Sequence, residues 1–510
     1  MKKLKSIIIV AICLLGFTSC EKSYLDTAPT SSASTSTVFS TTENAQTAVN
    51  GLAKLMTKQY LDWSGHNGEG TIKIQYGEYP SNDFSVNLPG WATVINMNYL
   101  ENNTSGYDYY PWFYYYKIIG NANAIIANLD NAIGSDKDKK SIKAQALSFR
   151  AYSYLMLSQL YCKRWSDSNN GGSEGLVLRI DESTSSMPLS TLAEVYELIY
   201  KDLDEAIADF KESGYERDED EFYLPNINVA YSIYSRAALT REDWAKAASM
   251  GIEAIKDYPL MSNDDYKSGF SNPTSEWIWG SYGGAEENLY YWSYQAYIAY
   301  NSNASNCRNY PKCINKELFD EIPDEDIRKS LFLDPTGYEY NEDNGKYSKT
   351  SEMDAHARSL YKDLYPTSVI YAYMSFKIKA NDLPGVGNLN FIRSGEMYLN
   401  IAEAYYHLEN PTDAQKYLIS SNILRNPSYT CTLTGDDLLT EIKKYRRFEL
   451  WGEGFNWFDY KRWGDSIKRK SFADGGNFVT DLAKTITPTD AHSWVWVIPA
   501  KETDYNKLTN

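Results

Sequence analysis

The run EIKKYRRFELWGEGFNWFDYKRWGD, Glu441 to Asp465, constrains this chain more than any other stretch. Leu438, Ile442 and Tyr445 are spaced for one buried helix face, with charges between them. The helical pattern stops at Gly452 and Gly454. Phe455, Trp457, Phe458, Tyr460 and Trp463 follow, with Arg446, Arg447, Lys461 and Arg462 set among the rings. An arginine can cover an aromatic face and pair with a carboxylate at once. The run therefore predicts a helix corner locked into a core by arginine–aromatic packing, in preference to a ligand site.

Helical spacing recurs along the chain. Thr42 to about Tyr60 reads as a helix with Thr41 or Thr42 as its cap, and Ala45, Val49, Leu52 and Met56 as its buried stripe. Further helices are predicted from Trp112, over Ser141 to Arg164, and over Leu189 to Glu212. Val229 to Leu239 and Trp244 to Lys256 form a helical hairpin with a very short turn. Arg393 to Leu408 pairs with Thr412 to Leu424. No strict 34-residue repeat is present, so the spacing gives paired helices and no more. Two regions break the pattern, at about 62–110 and 261–390. Both are rich in rings, which argues against disorder, and loops of this length in a folded protein usually carry function.

The C-terminal run resembles the signature of the SusD/RagB outer-membrane lipoproteins of the Bacteroidetes. Arg446, Arg447, Glu449, Leu450, Glu453, Gly454, Phe455, Trp457, Phe458, Asp459, Arg462, Trp463 and Gly464 fall in step with it. Tyr116, Ile119, Ala122, Asn123, Arg150, Ala151, Tyr152 and Tyr154 match the family's early helix pair. Arg393, Glu396, Tyr398, Leu399, Ala402, Glu403, Ala404 and Tyr405 match a later one, and Ile498, Pro499, Glu502 and Asn506 the closing segment. Where many members carry a Gly-Asp-Val-Pro turn, this chain has Lys163 to Ser166. The resemblance implies a mainly α fold: a right-handed stack of helical pairs like tetratricopeptide repeats, with long irregular loops forming the ligand-binding side. It also implies a cell-surface protein that binds glycans or other nutrients for a TonB-dependent transporter of the SusC type.

The N-terminus fits that location. Lys2, Lys3 and Lys5 precede an apolar run from Ile7 to Phe17, then Thr18, Ser19 and Cys20. This is a secretory signal over 1–19, too short to span a bilayer. Cys20 resembles the lipidated first residue of a mature lipoprotein, which would anchor the chain without crossing the membrane. Residues 20–37 read as a Ser/Thr-rich tether, and 38–510 as a single helical domain. The expected location is the outer membrane, facing the exterior.

A net charge of −17 argues against a nucleic-acid partner, whose phosphates need basic patches. The chain holds 44 Tyr and 13 Trp, so many rings must reach the surface. A sugar offers an apolar C–H face and a polar rim, which an aromatic plate flanked by amides or carboxylates can match. The first irregular region supplies Trp91 with Tyr76, Asp83, Asn96 and Asn98; the second supplies Tyr282, Tyr290, Tyr291 and Trp292. These are the candidate ligand-binding residues, taken from both loops jointly.

Chemistry-bearing motifs are absent. The four His, at 66, 356, 407 and 492, form no HExxH, and no GxSxG, phosphate loop or GxGxxG is present. No cofactor is expected. No Cys/His cluster suggests zinc. A calcium ion could sit near Asp334 to Asn344, although Gly345 breaks EF-hand spacing. Cys307 and Cys313 could form a loop disulfide in an exported protein. The expectation is an oligosaccharide-capturing lipoprotein that performs no reaction. Its rival is a helical-repeat scaffold for peptide or protein, and a glycoside hydrolase is a third class, since its two carboxylates need only meet in space.

Overall fold

The first six long helices start where the sequence supplies a side-chain cap. The fold is seen in a computed structural model that describes residues 35–58, 66–282, 293–337, 340–341, 346–347, 350–488 and 494–509. Helix α1 (Thr42–Leu55) begins behind Thr41, whose hydroxyl accepts the Asn44 amide. Ser105 caps α2 (Gly106–Asn128), and Ser135 caps α3 (Asp136–Tyr161). Thr191 and Glu194 form a reciprocal capping box on α4 (Leu192–Ser213). Asn226 and Asp243 cap α5 (Ile227–Thr240) and α6 (Trp244–Ala254). The later helices are α7 (Ser394–His407), α8 (Pro411–Asn422), α9 (Gly435–Leu450) and α10 (Asn456–Trp463).

Each helix packs on its successor from α2 through α8, and α9 also packs on α7. The fold is thus mainly α, a stack of helical pairs. Short strands β1 (Phe84–Ser85), β2 (Trp277–Gly280), β3 (Cys313–Ile314) and β4 (Asn390–Arg393) pair antiparallel, β1 with β3 and β2 with β4. One continuous apolar core runs from Ala45 to Trp496. Among the described residues no helix is long and apolar enough to cross a membrane.

Helix α2 starts six residues before the expected Trp112, because Pro111 interrupts the pattern from inside the helix. Proline has no N–H to give the Tyr107 carbonyl. The Tyr76 hydroxyl donates to that carbonyl instead, at 2.8 Å. The expectation that 62–110 is loop laid over the scaffold needs correction for 66–86, which is buried throughout. Its centre is a π-helical segment, Ile72–Glu78, against which α10 packs. Its charged groups are engaged inside. Glu69 accepts from the hydroxyls of Tyr152 (2.6 Å), Tyr115 (3.1 Å) and Tyr114 (3.3 Å). The Lys73 amine donates to the Glu453 carbonyl at 2.7 Å.

The C-terminal signature is the corner its residues predict. Trp451 and Trp457 are fully buried, and Phe455, Phe458 and Tyr460 nearly so. Gly454 turns the chain at φ +89, and a Cβ there would lie 2.5 Å from the Lys73 side chain. Gly77 approaches the same turn so closely that its Cβ would meet the Gly454 carbonyl at 2.3 Å. Arg446 pairs with Asp459 at 2.6 Å while lying 5.6 Å from the Phe455 ring centre. Lys461 donates to the carbonyls of Gln159 (2.5 Å) and Cys162 (2.9 Å), closing the end of α3.

A buried ionic network ties the second irregular region to this corner. Arg393 spends all five N–H groups on Glu276, Glu449 and Glu453, at 2.7–3.0 Å. Arg328 joins Asp326 to Glu449, Arg425 joins Glu276, and Lys377 joins Glu453. The four cations and four carboxylates balance, as burial requires.

Cys307 and Cys313 are both free thiols, which corrects the expected loop disulfide. Each sits near a different carbonyl, Cys307 at 3.1 Å from that of Ala296 and Cys313 at 3.7 Å from that of Pro311. Of the calcium candidates, Asp334 accepts both the amide and the hydroxyl of Thr336, and much of the stretch up to Asn344 lies outside the described residues.

A ring-lined face as the candidate functional site

Trp91 ends a short 3₁₀ turn, Pro89–Trp91, in which Pro89 fixes the entry. The turn leads into the short helix Ala92–Ile95 and leaves the indole half-exposed. Two tyrosines hold it edge-on: Tyr79 at 5.9 Å and 80°, and Tyr297 at 6.0 Å and 65° between ring centres and planes. Tyr79 comes from the π-helical region and Tyr297 from the second irregular region. The contact therefore joins the two regions at one ring. Edge-to-face geometry is the favoured aromatic arrangement, and the indole, packed in part against the core, keeps some of its surface exposed. Half-exposed Tyr107 lies nearby, stacked on Tyr99 at 5.7 Å.

The other expected residues have different fates. Tyr76 is fully buried, with its hydroxyl given to Tyr107. Asp83 is also fully buried, held by the Arg447 fork at 2.6 and 2.8 Å, and its backbone carbonyl accepts from the Trp451 indole. Neither has a surface to offer a ligand, so both are core residues, a correction that burial alone imposes. Asn96 is half-buried and its oxygen accepts from Arg469 at 3.0 Å; Asn98 is exposed. Tyr282 is half-buried against Tyr223 at 4.8 Å, with the Lys54 amine 5.9 Å from its ring. Tyr290, Tyr291, Trp292 and Cys20 lie outside the described residues. Tyr79 and Tyr297 were not singled out from the sequence. The signal for Tyr297 was Ser293, which caps a short helix over Tyr294–Ile298 and so fixes where the ring points.

Perturbed carboxylates exist but are sealed in. Burial raises Glu69, although the hydroxyls of Tyr152 and Tyr115 and the charges of Lys73 and Arg236 oppose it. Burial also pushes Glu78 up to about 8 while the amides of Gly454 and Phe455 donate to it. The cavity beside Glu69, Lys73 and Arg446 is only about 30 Å³, room for a water and not for a substrate. Among the described residues no group of three or more His, Cys, Asp or Glu could hold a metal ion.

Residues 253–507, half of the chain, match the model of the SusD family. The chain belongs to the SusD family. Residues 23–239 match a second family model, described as starch-binding associating with outer membrane. No curated protein sequence matches the chain. Among solved structures, it is similar to a SusD-like carbohydrate binding protein from Bacteroides vulgatus, with TM-score 0.75 and 23% identity over 92% of this chain and 98% of that one. A SusD superfamily protein from Bacteroides thetaiotaomicron gives TM-score 0.72 and 24% identity over 92% and 99%. Surface glycan-binding protein A from the same species gives 0.66 and 18% over 92% and 98%. At these identities the likeness is one of fold. The SusD-family signature is then the buried corner itself: Arg446, Asp459 and Arg462 are spent on one another and on Asn400 and Glu403. In this SusD-family chain the ring-lined face lies apart from the signature, in the regions the family resemblance does not pin residue by residue.

Proposed function

We propose that this chain captures oligosaccharide at the cell surface by stacking a sugar ring on Trp91, with half-buried Tyr107 beside it and the buried Tyr297 serving only to brace the indole. It passes the ligand to a SusC-like TonB-dependent transporter and performs no reaction on it. The observation that carries the reading is the half-exposed indole of Trp91, braced edge-on by rings from two separate regions. The match to a starch-binding, outer-membrane-associated family model supports it, as do neighbours described as carbohydrate- and glycan-binding. Lipidation at Cys20 would hold the protein on the outer membrane, facing the exterior. Trp292, with Tyr290 and Tyr291, is proposed to complete the face.

The test is calorimetry against a panel of starch, plant and host oligosaccharides, with product analysis afterwards. Trp91→Ala should weaken the best ligand at least about tenfold, roughly 1.4 kcal/mol, with helical circular dichroism unchanged and the sugar recovered intact. Unchanged affinity in Trp91→Ala sinks the site. Released fragments in place of intact sugar sink the binding-only role.

A further inference from the structure

Helix α2 carries rings on two flanks. Tyr107 belongs to the face just described. Tyr109 is two residues on, about 200° around the helix, and opens on different surroundings. There a groove of about 650 Å³ runs along α2 between residues 179–184 and the C-terminal segment at 501–502. That volume is within the range of small-molecule sites, and nothing in the proposed function uses it.

The floor is aromatic. Tyr109 and Phe113, one turn apart, are both half-exposed with ring centres 5.7 Å apart. Beneath them Trp112 donates its indole N–H to Glu502 at 3.2 Å, and Tyr116 donates its hydroxyl to the Val177 carbonyl at 2.8 Å. These two are anchored, so the floor is rigid. Phe113 packs in part against the core and leaves the rest of its ring to line the groove.

The rim is polar and balanced. Lys117 stands 5.7 Å from the Phe113 ring centre and Lys501 5.7 Å from that of Tyr109. Arg179 reaches Glu502 at 3.4 Å and the Ser185 carbonyl at 3.1 Å. Asp181 and Glu182 complete the set, giving three cations against three carboxylates. Such a rim gives no net pull on an ion. It offers donors and acceptors in alternation, which suits hydroxyl groups because each can both donate and accept. An apolar plate framed by such a rim matches a neutral pyranose: C–H face on the ring, hydroxyls on the charges.

We infer that the α2 groove is a second saccharide site, with Phe113 and Tyr109 as its stacking platform and neutral sugars as its ligand class. The inference rests on the glycan-binding reading for its chemistry, but on separate residues. It is tested by titrating the full chain with maltotriose, cellotriose, mannotriose and xylotriose, and with a trisaccharide ending in glucuronic acid. The expected result is two binding events. Phe113→Ala weakens one at least tenfold and leaves the other, and Trp91→Ala does the reverse. Phe113→Leu keeps apolar bulk without the flat ring and should give the same loss, with an unfolding midpoint like the wild type. A single event abolished by Trp91→Ala and untouched by either Phe113 variant overturns the second site while sparing the first. Preference of the Phe113-dependent event for the glucuronic-acid probe overturns the neutral ligand class. Absence of binding to every probe removes the glycan reading and this one with it.

Discussion

Arg393→Met removes the centre of the buried ionic network, and the loss can be worked from its contacts. The guanidinium is 1% exposed and makes five hydrogen bonds, four to the carboxylates of Glu276, Glu449 and Glu453 and one to the Glu449 backbone carbonyl. Summing five such bonds at about 1.5–3 kcal/mol each overshoots, because the partners are not left alone. Glu276 keeps Arg425, Glu449 keeps Arg328, and Glu453 keeps Lys377. What remains is one uncompensated buried negative charge, which costs about 3–5 kcal/mol. Chemical denaturation followed by circular dichroism should show that loss. Lys316→Met, which breaks an exposed pair with Asp320, should lose less than about 1 kcal/mol. Adding Glu453→Gln to Arg393→Met rebalances the charge and should recover more than about 1 kcal/mol as a coupling energy. Arg393→Lys should fall between, since it restores charge without the fork. A loss under about 1 kcal/mol in Arg393→Met, or no recovery in the double variant, would refute the view that this network holds the second irregular region to the corner.

Three further outcomes are expected. Burial raises Glu403, but the Arg462 fork and the Trp463 indole outweigh it and hold the carboxyl at about 2. A depressed folded value contributes stability above the unfolded 4.5 that is lost as pH falls through 2; Glu403→Gln should cost about 3 kcal/mol at pH 7 and nothing near pH 2, by denaturation across pH. Asp108 is buried with neither oxygen partnered, and burial pushes it up to about 8. Its stability contribution is full below 3.8 and lost as pH rises through 8, so Asp108→Asn should be more stable than wild type at pH 8, by about 1–3 kcal/mol, with the gap closing by pH 4. Gly454→Ala combines φ +89 with a Cβ 2.5 Å from Lys73 and should lose more than about 2 kcal/mol in the same denaturation assay, whereas Gly475→Ala, at φ +82 with open space, should lose only the backbone strain of about 1–2 kcal/mol.

The sequence by itself determined the helices and the corner. Period, caps and the arginine–ring run are local, so Thr41 and Gly454 could be read one after another along the chain. It also offered Trp91 as a candidate, as one large ring with amides and a carboxylate near it in an irregular stretch. Only the tertiary structure decided which rings face water. Tyr76, Asp83 and Trp91 lie within sixteen residues of one another and look alike as candidates. Burial separates them, since Arg447 arrives from 364 residues away to occupy Asp83, and the Pro111 gap in α2 takes the Tyr76 hydroxyl. The α2 groove was equally invisible, because its rim joins Lys117, Arg179 and Lys501, and no local rule relates residues so distant in sequence. A side chain's propensity belongs to its own few neighbours, whereas its exposure depends on what the rest of the chain brings against it.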